Sequence, residues 1–258
     1  MLKKKQLFNR LLLSLVLVTG FSNAFCQDIK LLQQEALNLE KQLNEPEALN
    51  RYSKIVELNP NDVPTLLKCT ELNCSIGNRN PDKNAKAKYY QVAGSYALKA
   101  YIADSMSADA NYAMALVAGK MTEVEDEKKK IVQYVNQSKI YNDKALSINP
   151  NHARANYLMG KWNYEIVNLS WIKRAAVNTL YGGLQKGSID SAISYMEKSR
   201  SLDQYYVRNY LDLAKAYDYN NQPAKAIDVL NKLLKLPTRT PDDEGLKIQA
   251  KQLLEKLQ

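Results

Sequence analysis

"KIVELNPND", residues 54–62, and "KALSINPNH", residues 144–152, decide how this 258-residue chain folds. Each reads as the end of an amphipathic helix, then Asn-Pro-Asn, then the start of another helix. Proline stops the first helix because it has no N–H and crowds the turn before it. Its fixed φ also suits the entry of the next helix. "RSLDQYYV" (200–207) and "KLLKLPTRT" (232–240) occupy the same place further along, the latter with Pro237. A chain that returns repeatedly to one helix–turn–helix unit is an internal repeat, and the repeat has to be read before anything else.

The last unit carries the sharpest pattern. Tyr210, Leu213, Ala214 and Tyr217 fill its first helix, and Ala226, Leu230 and Leu233 its second. That is the 34-residue tetratricopeptide spacing, with large residues bracketing a small one in the first helix and an alanine opening the second. The unit before has Met159 and Gly160, then Ala192 and Met196; Ala192 and Ala226 lie one period of 34 apart. The first unit has Ala36 and Leu39, then Ala48, Tyr52, Ile55 and Pro60. Two middle units are looser: Leu66 and Cys69 with Ala93, Ala97 and Ala100, and Met114, Ala115 and Ala118 with Ser138, Ala145 and Pro150. Their matched second-helix positions, 48, 93, 138 and 192, are spaced more widely than one period, so these units carry longer helices or insertions.

Small residues let two helices approach at their crossing, and large ones fill the space beside it. One pair cannot cover its own apolar face, so pairs stack and the array ends in a cap. Thr240-Pro241-Asp242-Asp243 offers an N-cap, a proline for the first turn and acids on the helix dipole. Leu246, Ala250, Leu253, Leu254 and Leu257 then form one apolar stripe. The expected fold is all-α: a tetratricopeptide-type α-α superhelix of about five helix pairs over 27–239, with an enlarged fourth unit and a capping helix over 240–258.

Residues 1–26 read differently. Lys3, Lys4, Lys5 and Arg10 precede an apolar run from Leu11 to Val18, then Gly20 and small residues. Those are the parts of a secretory signal peptide, with cleavage after Ala24 or after Cys26. The run is too short to span a bilayer comfortably. The expectation is an exported, periplasmic or cell-envelope protein, with a lipoprotein on Cys26 or an uncleaved anchor as alternatives. Only the N-terminus then offers a route to a membrane. Four positive charges and no acids lie in 1–26, so the formal charge of +9 falls to +5 without them. That balance, with no Arg/Lys stripe interleaved with aromatics, argues against nucleic acid. Cys69 and Cys74 sit five apart, too distant on a continuous helix for an unstrained bridge, and read as buried free thiols.

"INPNHARANYLMGKWNYEIVNLSWIKRAAVNTLYGG" (148–183) with "SIDSAISYMEKSRSLDQYYVRNYLDLAKAYDYNNQPAKAI" (188–227) resembles the regulator of microtubule dynamics family of tetratricopeptide proteins. The resemblance is strongest from Lys144 to the C-terminus. Its most specific elements are Gly160-Lys161-Trp162, Ser170-Trp171-Ile172-Lys173-Arg174, Leu180-Tyr181-Gly182 and Lys215-Ala216-Tyr217. It implies a helical array with an enlarged late unit and a scaffold rather than an enzyme, with no catalytic residues to carry over. "GGLQKGSIDSA" (182–192) departs from the family pattern where a proline-rich link is expected, and the export signal replaces the family's link to microtubules or organelle membranes.

Chemistry finds little support. His152 follows Asn-Pro-Asn at a helix start and has no carboxylate or thiol at ligand spacing, so it reads as a helix-entry residue. No zinc-protease, phosphate-loop or nucleophile-elbow motif occurs, and neither a cofactor nor a metal site is expected. Glu123, Glu125, Asp126 and Glu127 before Lys128 to Lys130 read as a solvated helix start.

Binding fares better. In a stacked array the first helix of each unit lines the concave groove. Register puts Arg154, Tyr157, Lys161 and Tyr164 of the fourth unit there, with Arg208 and Lys215 of the fifth and Tyr112 of the third. Four cations and three tyrosines suit a protein or peptide partner, with an acidic or C-terminal carboxylate-bearing segment favoured. Between Val167 and Ser188 the apolar and small residues read as an extra helix. Trp162 and Trp171 either bury in their own unit, or Trp171, Lys173 and Arg174 form a docking site. The alternative function is a small-ligand or envelope-lipid binder using the insertion at 168–187.

Overall fold

The computed structural model of the chain describes residues 28–169 and 183–258. Every regular element among them is a helix. They fall into two compact units, residues 1–60 and 61–258, which divide at the first Asn-Pro-Asn turn.

The first unit contributes α1 (28–41) and α2 (Glu45–Leu58). Leu43, at a φ of 60°, reverses the chain between them. Asn44 caps α2 by accepting the Glu47 N–H at 3.4 Å. Ala36, Ala48, Tyr52 and Ile55 are buried, the Tyr52 hydroxyl donates to Glu40, and Arg51 pairs with Glu35 at 2.7 Å.

The second unit holds nine helices among the described residues: α3 (Val63–Arg79), α4 (Lys83–Ala103), α5 (Ala108–Met121), α6 (Lys128–Ile148), α7 (Ala153–Asn168), α8 (Ile189–Leu202), α9 (Val207–Tyr219), α10 (Pro223–Leu233) and α11 (Asp243–Leu257). They pair as α3 with α4, α5 with α6, α7 with α8 and α9 with α10, while α11 lies against α9 and α10. The first helices of the pairs also touch in succession, α3 to α5 to α7 to α9 to α11, so they form one continuous inner row.

The helix starts follow from the sequence. Asp62, Asp82, Ser107, His152 and Ser188 each place a side-chain acceptor on the backbone N–H three residues on, filling donors the helix cannot satisfy itself. The small crossing positions Ala93, Ser138, Ala192 and Ala226 are all buried. Gly160 shows why the crossing must be small: a Cβ there would stand 2.6 Å from Met196 Cγ and 2.9 Å from the Ala192 carbonyl oxygen. The wide spacing of the middle units comes from helix length, since α4 and α6 each run 21 residues against 14 for α8.

Two expectations need adjustment. The last helix begins at Asp243 rather than just after Thr240, because the Asp243 carboxylate folds back to accept the Arg239 and Thr240 N–H groups at 2.8 and 2.9 Å. Glu123 is not part of a solvated helix start: it closes the turn after α5 by accepting from Tyr90 and Lys120, at 2.8 and 2.7 Å. The extra helix read across Val167 to Ser188 falls largely on residues 170–182, outside the described residues; 183–188 run without helix into α8. Cys69 and Cys74 are both buried, and burial pushes the Cys74 thiol up to about 12.

A buried polar device recurs that the hydrophobic pattern did not show. Asn111 and Asn156, one turn into α5 and α7, donate back to the carbonyls of Ser105 and Pro150 and pin the loop before the helix. Asn142 and Asn209 stitch neighbouring units by donating to the Ala155 and Met196 carbonyls, each at 2.9 Å.

Candidate functional site

The inner row carries the predicted cations and tyrosines, and Arg154, Tyr157 and Lys215 meet through Tyr206 and Asp212. The Arg154 guanidinium lies 3.4 Å from the centre of the Tyr206 ring and reaches Asp203 at 3.4 Å. Tyr157 packs edge-on against the same Tyr206 ring, centroids 4.9 Å apart, and its hydroxyl donates to Asp212 at 2.7 Å. Lys215 approaches the other oxygen of Asp212 at 3.4 Å, one turn along α9. Lys161 pairs with Glu165 at 3.0 Å, and Tyr164 stands edge-on to Tyr219. Tyr112 is buried, with its ring 4.9 Å from that of His152.

Arg208 reaches furthest. Its guanidinium binds Asp242 at 2.8 Å, and Arg79, from the end of α3, binds the other oxygen of that carboxylate at 3.1 Å. Asp242 immediately precedes α11, the far end of the inner row. The row therefore curls until its two ends meet through one carboxylate and two guanidiniums.

The charges on this inner face hold one another in their ionised forms. Burial works against the charged Arg154, yet Tyr206, Glu71, Tyr112 and Asp203 outweigh it and keep the guanidinium firmly protonated. Lys161 behaves alike: burial lowers it, while Asp212 and Glu165 raise it further. Burial pushes the hydroxyls of Tyr112 and Tyr157 well above the usual phenol range, so both stay neutral donors at any physiological pH.

All seven predicted groove residues thus lie on the inner helices. What register alone missed is the acidic complement, Asp203, Asp212 and Asp242, together with Tyr206 and Arg79. Asp212 was legible, since it stands four residues after Arg208 and three before Lys215, the spacing of helical ion pairs. These side chains form a zwitterionic ladder rather than a bare cationic wall.

His152 caps α7 as a helix-entry residue: its Nδ1 accepts the Ala155 N–H at 3.0 Å, leaving Nε2 to donate to Asp109 Oδ1 at 3.0 Å. Trp162 is core, its indole donating to the Val135 carbonyl at 3.2 Å with Lys139 over the ring. Trp171, Lys173 and Arg174 lie outside the described residues. Among the described residues no group of three or more His, Cys, Asp or Glu side chains is placed to hold a metal ion.

The family model described as Regulator of microtubule dynamics protein 1-3 matches residues 31–258. The chain belongs to the regulator of microtubule dynamics family. Regulator of microtubule dynamics protein 1 of Caenorhabditis elegans is 31% identical over 114 residues, which is 44% of this chain and 50% of that protein. The Bos taurus protein 1 is 28% identical over 161 residues, 62% of this chain and 50% of its own length. Protein 2 of Homo sapiens is 28% identical over 144 residues, 55% and 35% respectively. The chain spans about half or less of the length of these curated relatives.

Among solved structures, a thermophilic tetratricopeptide protein of Thermus thermophilus superposes with a TM-score of 0.64 at 13% identity, covering 88% of this chain and 99% of that one. PilF of Pseudomonas aeruginosa gives 0.51 at 13% identity, covering 90% and 86%. Likeness at such identity speaks for the fold alone, which is the all-α tetratricopeptide-type α-α superhelix. Stacked helix pairs of this kind present an extended concave surface.

Family membership overturns one expectation. The relatives are proteins of animals, whose cells have no periplasm, so the exported, periplasmic or cell-envelope assignment is withdrawn. A basic start followed by a short apolar run is a composition that does not by itself name one destination. Residues 1–26 lie outside the described residues, and no described helix is long and apolar enough to cross a membrane.

Proposed function

We propose that this member of the regulator of microtubule dynamics family is a non-catalytic scaffold that binds a protein or peptide segment along its inner groove. The observation that supports this reading is the ladder running from Tyr112 through Arg154, Tyr157, Lys161 and Tyr164 to Arg208 and Lys215. There, neutral tyrosine hydroxyls and permanently charged guanidiniums face one another across neighbouring units. Such groups recognise carboxylates by charge-assisted hydrogen bonds, so the favoured partner segment is acidic or ends in its C-terminal carboxylate. Because each cation already touches an internal acid, the partner exchanges one carboxylate for another. The gain lies in matching of positions more than in raw attraction.

The test uses the full chain as bait in cross-linking capture from extract, beside a variant carrying Arg154→Glu, Lys161→Glu, Arg208→Glu and Lys215→Glu. Capture is expected to be lost in the variant while circular dichroism still reports its helices. Capture that persists unchanged removes the groove from consideration.

A further inference from the structure

A second surface lies on the opposite side of the inner row. On α5 the residues Met114, Val117 and Met121 point away from the Tyr112 face and floor a groove whose walls are α4 and α6. Leu98 on α4 and Tyr134 and Tyr141 on α6 line those walls, and the cavity volume is about 360 Å³. The walls do not pack on each other along their length. They meet at one end, where Tyr101 and Tyr141 stand edge to face at 5.6 Å. Leu98 and Ile102, one turn apart on the same face of α4, are 49% and 74% exposed and carry the apolar line beyond the groove. Apolar side chains gathered in a concavity give a partner's apolar anchors a place to bury.

The charges on its walls are mostly positive. Helix α4 contains Lys83, Lys86, Lys88 and Lys99 and no acid; α6 contains five lysines and the single acid Asp143. By helical spacing Lys88 and Lys99 flank the α4 wall, and Lys130 and Lys144 flank the α6 wall; all four are exposed. Lys130 is paired with Glu127 at 3.0 Å, beyond the end of the groove.

We propose that this outer groove docks an amphipathic helix with acidic flanks: apolar anchors at i, i+4 and i+7 enter between α4 and α6, and Asp or Glu beside them meet the lysines. Two walls over a recessed apolar floor suit a helix laid lengthwise. A bilayer calls for apolar groups that protrude; Leu98 and Ile102 do, but Met114, Val117 and Met121, which floor the groove, are set back. This surface is separate from the inner groove, so the two readings stand or fall independently.

The test measures fluorescence anisotropy of synthetic helical peptides on the full chain. One peptide has Leu at i, i+4 and i+7 with Glu flanks, a second has Lys in place of Glu, and a third has Ser in place of Leu. The Glu-flanked peptide is expected to bind about tenfold or more tighter than either control. Leu98→Glu, at an exposed position that leaves the fold intact, and the set Lys88→Glu, Lys99→Glu and Lys144→Glu should each weaken it by about tenfold, while Arg154→Glu in the inner groove leaves it unchanged. Equal affinity for the Glu- and Lys-flanked peptides overturns the proposal. So does binding that survives Leu98→Glu, or binding that falls only with Arg154→Glu. Displacement of the peptide by anionic phospholipid vesicles assigns the surface to membranes instead. Self-association that Leu98→Glu abolishes assigns it to a second copy, and either result also ends the proposal.

Discussion

Replacing Asp242 with Asn removes one charge, keeps the side chain's shape and strips two arginines of their shared partner. The carboxylate is mostly shielded, with 17% side-chain exposure, while Arg79 and Arg208 are about a third exposed. An exposed ion pair contributes about 0–1 kcal/mol, and the partial exposure of the arginines argues for that range rather than for a buried pair. Two such pairs, plus the cost of leaving two guanidiniums face to face, give a loss of roughly 1–2 kcal/mol. In a chain of this size that corresponds to a fall in melting temperature of about 2–8 °C. The backbone of residue 242 keeps its role, since its carbonyl still accepts the Leu246 N–H. The same substitution frees Arg208 to donate to a foreign carboxylate, so a peptide ending in an acidic C-terminus should bind more tightly to the less stable protein. Urea denaturation followed by circular dichroism reads the first effect, and peptide anisotropy reads the second. A double-mutant cycle with Arg79→Gln should show coupling of about 0.5 kcal/mol or more. Unaltered stability, or weaker binding of the acidic peptide, refutes the view of Asp242 as an internal stand-in for a ligand carboxylate.

Gly160→Ala should destabilise by about 1–2 kcal/mol in denaturant titration, because displacing Met196 and the Ala192 carbonyl costs more than the helix gains from alanine. Tyr157→Phe should cost about 1–2 kcal/mol by the same measurement, since it strips a short donor from the Asp212 carboxylate. For Glu123, burial raises the carboxyl, but Lys120 and the hydrogen bonds from Lys120 and Tyr90 hold it below the usual 4.5. Its contribution is therefore present above that value and is lost as pH falls through the folded-state value beneath it. Stability curves of the wild type and Glu123→Gln, separate at pH 7, should converge on acidification below 4.5.

Legibility from sequence followed the range of the interaction. Helix ends were readable because Asn-Pro-Asn and the capping residues act within a few positions, and His152 at the start of α7 is an instance. The crossing residues were readable because steric need at a helix crossing leaves few choices: Ala48, Ala93, Ser138, Ala192 and Ala226 are each buried. The inner-face cations were readable because 3.6-residue periodicity fixes a face once the helix is known. Of their partners only Asp212 was. Asp203, just past α8, serves Arg154 at the start of α7 across the whole enlarged fourth unit, where the register is irregular. Asp242 serves Arg79 from 163 residues away, a contact set by the curvature of the inner row, which no local pattern encodes.

That difference bears on how the groove recognises anything. Cations read from sequence alone suggest a surface that attracts any acid, with affinity that collapses in salt. Cations already seated on Asp203, Asp212 and Asp242 gain little from a loosely acidic partner, because each new contact breaks an old one. A segment whose carboxylates fall where these three sit, and whose apolar groups meet Tyr206 and Tyr164, replaces the whole set at once. In the proposed scaffold the internal acids act as a filter, holding the cations and tyrosines in fixed geometry and excluding partners that match only in charge.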